Sequence, residues 1–230
     1  MAQKRISRKQ LLKEPDEFIS TSTKLLDWAK SNPKKLIYGV SAFVALVLAA
    51  SGYTYYYQAR AKAAANLLSQ SLAKYETMAG KDKAAALAAV KPDFKKLVDK
   101  FGGQPASVLG RIIFGHISLA GHDPDEAIAL YKRALEETGD DPALTNLILN
   151  GLAAAYEQKG QTQEAIAYDE KIKAGNSSVL KDAALFSLGR LYEKIGQKEK
   201  SIQAYEQLSN DFPESMYAEI AREKAAQETS

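Results

Sequence analysis

The strongest constraint on this chain is the run from Leu36 to Ala59, which contains no charged side chain. A helix rises about 1.5 Å per residue, so the run extends about 36 Å and can cross a hydrocarbon layer about 30 Å thick with some tilt. Residues 60–230 that follow it are of mixed polar and apolar character. The sequence therefore predicts one transmembrane helix over 36–59 that tethers a water-exposed domain to a lipid bilayer.

Two other interpretations of the run are weaker. A cleaved signal peptide would need all of residues 1–35 as its charged leading region, which is unusually long, and Ala49-Ala50-Ser51 is a poor cleavage site. A buried core helix is the third interpretation, but few soluble helices are apolar on every side over such a length. We therefore expect an uncleaved anchor.

The charge distribution predicts the orientation of that anchor. Residues 1–35 contain nine Lys and Arg against four acids, a net charge of +5, whereas the rest of the chain contains 22 basic and 24 acidic residues, a net charge of −2. Positive charge before a membrane helix keeps that side cytoplasmic, so residues 60–230 are expected to cross. No basic stripe with interleaved aromatic residues is left in 60–230, which argues against nucleic acid as a partner.

Two segments could contact the membrane or a partner. Pro15 to Ser31 has helical spacing of apolar residues, which include Phe18 and Ala29, and predicts an amphipathic helix that lies in the headgroup plane or docks on a protein. Within the anchor, Ser41, Ala45 and Ala49 recur at every fourth position and form a candidate contact for another membrane helix. The alternative is that small residues are simply common in membrane helices.

The remainder of the chain reads as helical hairpins. After Arg60, helix-favouring residues dominate, and Gly or Pro interrupts them at intervals that allow helices of about 12 to 20 residues. The segment Leu152–Gly160 recurs in similar form as Leu188–Gly196, and Gly115, Tyr131 and Ala134 belong to a copy that precedes both. We therefore predict an all-α fold, with a transmembrane helix followed by an α-solenoid over 60–230.

These features resemble the tetratricopeptide repeat, whose unit is about 34 residues with small residues where its two helices cross. The third copy, 182–215, fits best, with Gly189, Tyr205 and Pro213 at signature positions. The second copy departs from the pattern because Asp169 occupies the aromatic position and Tyr168 comes one residue early, which predicts an insertion or a register shift there.

Three further predictions concern the ends of the stack. Residues 63–77 and 84–101 read as one more, degenerate hairpin, whose second helix is kinked or split at Pro92. No Gly or Pro lies between Gly52 and Gly80, so the anchor is expected to continue into the first helix of the stack. Glu214 to Gln227 is the expected capping helix.

A basic start, one anchor and irregular hairpins together resemble the YfgM-type ancillary subunits of the bacterial Sec translocon. The resemblance covers the architecture of residues 36–230 and includes the hairpin that ends Phe101-Gly102-Gly103. It implies a bacterial inner-membrane protein with a cytoplasmic N-terminus and a periplasmic domain close to the translocon or to periplasmic chaperones.

Candidate catalytic groups are sparse. The chain has no cysteine, and its two histidines, His116 and His122, do not have a zinc-binding spacing. Glu136, Glu137, Asp140 and Asp141 lack calcium-loop spacing, so a solvated turn is the better interpretation. We expect no enzyme, no cofactor and no metal.

Binding is expected in the concave groove that the first helices of the repeats form. Mapping the repeat onto each copy predicts these groove residues: Ile112, His116, Leu119, Asn150, Ala154, Glu157, Phe186, Arg190 and Glu193. This mixed surface suits an extended or helical polypeptide. Arg190 is a candidate for binding an acid, unless it pairs with Glu157 or Glu193. The sequence thus predicts a membrane-anchored protein-binding scaffold at the translocon or with chaperones, or alternatively an accessory subunit of another membrane complex that is bound through its anchor.

Overall fold

The computed structural model describes residues 17–229, and all of their regular secondary structure is α-helical. The N-terminal helices are α1 (Glu17–Ser31) and α2 (Pro33–Ala79). The remaining helices in this part of the chain are α3 (Lys83–Phe101), α4 (Pro105–Ala120), α5 (Pro124–Glu137), α6 (Pro142–Gln158), α7 (Thr162–Ala174), α8 (Lys181–Lys194), α9 (Lys198–Asp211) and α10 (Ala218–Thr229).

The chain divides into two compact units, residues 1–58 and 59–230. In the first unit, α1 is observed where an amphipathic helix was predicted, with Leu25 and Leu26 exposed. Pro15 lies outside the described residues, as do the side chains of Phe18 and Ile19. Helix α2 contains the uncharged run and is long and apolar enough to cross a membrane by length and composition alone.

Helix α2 is unbroken from Pro33 to Ala79, so the predicted continuation of the helix beyond Ala59 is observed. Helix α3 also runs without interruption through Pro92, contrary to the prediction of a split. The missing N–H of a proline removes one backbone hydrogen bond but does not end a helix whose other side packs well. Val90, Phe94 and Leu97 in α3 are fully buried against Ala64 and Leu68 of α2, and this packing holds the helix on both sides of the proline.

Within residues 59–230, helices α4–α5, α6–α7 and α8–α9 are the first, second and third repeats. The turn inside each repeat has the same length, residues 121–123, 159–161 and 195–197. The extra residues lie between repeats, at 138–141 and 175–180. The hairpin of the second repeat itself has no extra residue in its turn, and the irregular spacing lies in the connections, the longer of which, 175–180, directly follows the second repeat.

The core runs continuously from repeat to repeat. Side chains of α4, α5 and α6 share one cluster, which includes Ile112, Tyr131 and Leu152 and reaches Ala184 in α8. Leu188 and Leu191 join Ala165 of α7 in the next cluster. Ala218, Ala221 and Ala225 of α10 close the series over Leu185, Tyr205 and Leu208. The capping helix is thus observed, although it begins at Ala218.

Glycines allow the closest helix crossings. A Cβ at Gly189 would lie 2.4 Å from Cε1 of Tyr205, and a Cβ at Gly115 would lie 2.6 Å from Cε1 of Tyr131. Gly151, in the next repeat, packs against the same Tyr131 ring, and a Cβ at Gly151 would lie 2.5 Å from Cζ of Tyr131. Tyrosine in the second helix of a repeat therefore requires glycine opposite it, because any larger residue would overlap the ring.

Candidate functional site

The exposed surface of α4, α6 and α8, called here the first-helix face, is where the sequence places the binding residues. Arg111 is the single Lys, Arg, Asp or Glu in α4, and Glu157 is the single one in α6. Arg111 is buried and paired with Glu137, and Glu157 is paired with Arg190. Among the described residues, α4 and α6 therefore offer no unpaired charge, whereas α5 and α7 are rich in charged side chains.

Ile112 does not belong to this face. Its side chain is 1% exposed and packs in the core with Tyr131 and Ile148. The mapping of repeat positions placed it in the groove, but an isoleucine at this position gains more by burial between α4 and α6 than by contact with water. Ile112 is therefore a core residue and not part of the candidate site.

His116 is exposed on α4, and its Nδ1 lies 2.7 Å from the hydroxyl of the buried Tyr131. The two rings meet edge to face at 5.4 Å. Partial burial lowers the pKa of His116, and burial raises the pKa of Tyr131 above its ordinary value. Both groups are consequently neutral at physiological pH, and His116 presents an uncharged ring edge to the surface.

The next three predicted residues form a neutral strip. Leu119 is partly buried, and its carbonyl accepts a hydrogen bond from Nε2 of Gln158 at 3.2 Å. Asn150 is half-buried on α6, and Ala154 is exposed one turn further along the same helix. None of these three side chains carries a charge.

Glu157 and Arg190 form a two-pronged ion pair between α6 and α8. Nη1 of Arg190 lies 2.5 Å from Oε1 of Glu157, and Nη2 lies 2.6 Å from Oε2. The hydrogen bonds from Arg190 lower the pKa of Glu157, and those same bonds raise the pKa of Arg190. The structure therefore favours the ion-pair interpretation of Arg190, with Glu157 as its partner.

The last two predicted residues lie on α8. Phe186 stacks on Tyr217, with ring centroids 4.8 Å apart, and is partly buried against the last core cluster. Glu193 is exposed, and its carboxylate lies 3.2 Å from Nζ of Lys224 in α10. At the α8 end, the first-helix face therefore changes from a neutral surface to one with paired charges.

An apolar cavity beside α4 was missed by the sequence reasoning. It has a volume of about 590 Å³ and lies between α2 and α4, where Leu72, Ala106 and Leu109 line it. Leu109 is 45% exposed, an unusual amount for a leucine in an otherwise packed helix. The groove positions were predicted for the three repeats only, and the degenerate hairpin was left out. The signal that could have found the cavity is the helical spacing of Leu68 and Leu72, which follow the uncharged run that ends at Ala59.

The remaining candidate groups have local roles. His122 lies in the turn after α4 with φ of 61°, not on the helix, and it occupies the place that Gly160 and Gly196 hold in the later repeats. Asp141 caps α6 by accepting hydrogen bonds from the backbone N–H groups of Ala143 and Leu144. Glu136 and Glu137 both pair with Arg133. In the described part of the chain, no group of three or more His, Cys, Asp or Glu side chains could hold a metal ion.

Solved structures with a similar fold are tetratricopeptide repeat proteins. One from Parabacteroides merdae superposes with a TM-score of 0.56 at 17% identity, covering 71% of this chain and 60% of that one, so this chain spans less than two thirds of that protein. A putative kinesin light chain of Podosopora anserina with nearly identical TPR-like repeats superposes with a TM-score of 0.53 at 17% identity, covering 70% of this chain and 86% of that one. At such identities the likeness concerns the fold alone.

The sequence comparison assigns the family. No curated protein sequence matches the chain. The profile of the tetratricopeptide repeat-like domain matches residues 27–220, which is most of the sequence. This fold is typically a non-catalytic scaffold for interactions between proteins. The chain belongs to the tetratricopeptide repeat-like domain family.

Proposed function

We propose that this protein is a membrane-anchored scaffold that binds other polypeptides on its first-helix face. The observation that carries the proposal is the neutrality of α4 and α6, whose charged side chains are both paired. Charged groups left without partners on binding are costly, so such a surface favours segments with few charges. Exposed Leu109 and the apolar cavity beside it add a place for a bulky apolar side chain of the bound segment.

The proposal extends to the cellular location of the protein and to the proteins that it binds. The uncharged run in α2 anchors the chain in a bacterial inner membrane, and the excess of positive charge before it keeps the N-terminus cytoplasmic. The domain then works in the periplasm as an ancillary subunit of the Sec translocon or as an adaptor for periplasmic chaperones. The support for this is the combination of charge asymmetry, a single apolar helix and interaction repeats in one chain.

Site-specific crosslinking in cells tests this proposal. A photoreactive residue replaces Ala154, which is exposed on α6, and in a matched variant it replaces Ala167, which is exposed on α7. We expect Ala154 to crosslink to a translocon subunit, a periplasmic chaperone or a chain in transit, and Ala167 to give much less product. Equal yields at the two positions would refute binding on the first-helix face, and products confined to unrelated complexes would refute the translocon assignment.

A second candidate function is that of an accessory subunit held in another large membrane complex through its anchor. Ser41, Ala45 and Ala49 favour it, because they recur at every fourth position on α2 and are all exposed. The test is to replace residues 36–59 by an unrelated membrane helix. Loss of co-purification with the partner complex supports the accessory subunit, whereas association that survives the exchange supports binding through the repeats.

A further inference from the structure

One carboxyl group is buried in the middle of the repeat domain. Asp169 in α7 is 0% exposed, and neither of its oxygens has a partner in good hydrogen-bond geometry among the described residues. A carboxylate without partners is among the most costly groups to bury, whereas the protonated acid is far less so. The environment of Asp169 thus distinguishes strongly between its two protonation states.

Asp169 occupies a position that is aromatic in the other two repeats. Tyr131 follows Gly115, and Tyr205 follows Gly189, at the same interval that separates Ala153 from Asp169. Tyr131 packs on Gly151 of the following repeat.

The residue of the following repeat that faces this position also differs between the two junctions. Ser187 corresponds to Gly151 one repeat later, at the same offset that relates Gly189 to Ala153. A tyrosine–glycine contact between the first and second repeats is therefore replaced by an aspartate–serine pair between the second and third.

The groups around Asp169 do not compensate the negative charge of its ionised carboxylate. Burial is the main cause that raises the pKa of Asp169 to about 7, and the negative charges of Glu157 in α6 and Glu170 in α7 act in the same direction. The Ser187 hydroxyl and Arg190, both in α8, oppose the shift in pKa without outweighing the burial. Arg190 is already held by both oxygens of Glu157 and is only partly available to compensate a second carboxylate.

We propose that Asp169 makes the junction between the second and third repeats sensitive to pH, so that α7 and α8 pack tightly while the acid is protonated and separate more readily once it ionises. The same two repeats carry Glu157 and Arg190, so opening of this junction also breaks the ion pair on the first-helix face. The inference does not depend on which polypeptide that face binds.

The sign of the effect follows from proton linkage. In the opened junction Asp169 is in water and titrates near its ordinary pKa of 3.8, whereas in the closed junction it holds its proton up to about pH 7. Between these values the closed form binds one more proton, so the equilibrium constant for opening rises about tenfold per pH unit. The contribution of Asp169 to stability is complete below pH 3.8, decreases as pH rises through this window, and is constant above about pH 7.

Hydrogen exchange of the full-length protein in detergent micelles, read by mass spectrometry, tests the proposal. After correction for the intrinsic exchange rate, we expect protection of peptides from α7 and α8 to fall by about twentyfold from about pH 5.5 to about pH 7.5. Asp169→Asn should remove this pH dependence, because the side chain keeps its size and has no charge. Asp140→Asn, the same change at an exposed acid, should leave it intact.

A second variant without a carboxyl at residue 169 keeps the test valid if Asp169→Asn fails to fold. Asp169→Tyr combined with Ala153→Gly and Ser187→Gly rebuilds the contacts that Tyr131 makes with Gly115 and Gly151, and it should also give protection independent of pH. The proposal is overturned if protection of α7 and α8 in the wild-type protein does not change with pH. It is equally overturned if the variants without a carboxyl at residue 169 keep the wild-type slope.

Discussion

At the scale of single residues, pairs of side chains decide how closely helices cross. Tyr131 and Tyr205 lie fully buried in the second helices of their repeats, and each ring rests on a glycine of the first helix. Where the tyrosine is replaced by Asp169, the first-helix residue is Ala153 and the facing residue of the next repeat is Ser187. A smaller residue in the second helix is therefore accompanied by larger residues at both facing positions.

Gly189→Ala is the residue-scale prediction. Its Cβ would lie 2.4 Å from Cε1 and 2.7 Å from Cδ1 of the Tyr205 ring, which is fixed by the last core cluster and cannot move aside. We expect the free energy of unfolding of the third repeat to fall by about 1–3 kcal/mol, as is usual for overpacking. Denaturant unfolding followed by tyrosine fluorescence measures it.

The control for that substitution is Gly80→Ala, at a turn glycine with no heavy atom within 4 Å of the added Cβ. This variant should unfold within about 0.5 kcal/mol of the wild-type protein, as surface substitutions usually do. If both substitutions had the same small effect, the Gly189–Tyr205 contact would not limit the crossing.

At the scale of elements, local sequence sets where helices begin and end. Asp82, Asp123 and Asp141 each accept a backbone hydrogen bond at the start of a helix, and Pro occupies the first helical position of α4, α5 and α6. Gly160 and Gly196 adopt positive φ in the turns of the second and third repeats. These signals are readable in the sequence, which is why the hairpin boundaries could be predicted closely and the turn lengths are uniform.

Asp141→Ala is the element-scale prediction. The Asp141 carboxylate accepts hydrogen bonds from the N–H groups of Ala143 and Leu144 at 2.9 and 3.0 Å, and alanine would leave both donors to water. We expect the loss of this cap to lower the free energy of unfolding by about 1 kcal/mol. The adjacent and exposed Asp140 provides the matched control, since Asp140→Ala removes the same charge without removing the cap. Equal destabilisation by the two variants, measured by thermal unfolding, would contradict the capping role.

At the scale of the whole repeat domain, each repeat is stabilised by its neighbours. The core clusters pass from α2–α3 through the three repeats to α10, and each cluster joins side chains of adjacent elements. In such arrays, stability is close to a sum of repeat and interface contributions, so damage at one end weakens the nearest repeat most.

Removal of α10 is the prediction at this scale. A chain that ends at Pro213 would expose Leu185, Tyr205 and Leu208, which are at most 1% exposed when α10 is present. We expect hydrogen-exchange protection of α8 and α9 to fall at least tenfold, while α4 and α5 keep theirs. A chain that ends at Gln227 retains the packed alanines of α10 and should behave as the full-length protein does. A uniform loss of protection across all repeats would show that the domain unfolds as one cooperative unit.

Part of the candidate site was predictable and part was not. The helical period and the small residues at the crossings placed His116, Ala154 and Arg190 on first helices, because side-chain direction on a helix follows from residue number. The same reasoning misplaced Ile112, whose side chain lies in the core, and it overlooked Leu109 beside the apolar cavity. Exposure at these positions depends on the neighbouring helix, which spacing within one helix does not describe.

The sequence by itself determined the helical class, the uncharged run over 36–59, the hairpin periodicity and the small residues where the helices of a repeat cross. These depend on local backbone preference and on the order of apolar residues along one helix. Only the tertiary structure decided that Arg190 pairs with Glu157, and that Asp169 is buried near Ser187 with neither carboxyl oxygen in good hydrogen-bond geometry among the described residues. Pairing and burial depend on groups that are far apart in the sequence and meet only when the repeats stack. The free energy of a charged side chain depends on how much water and which other charges surround it, and the stacking of the repeats decides both.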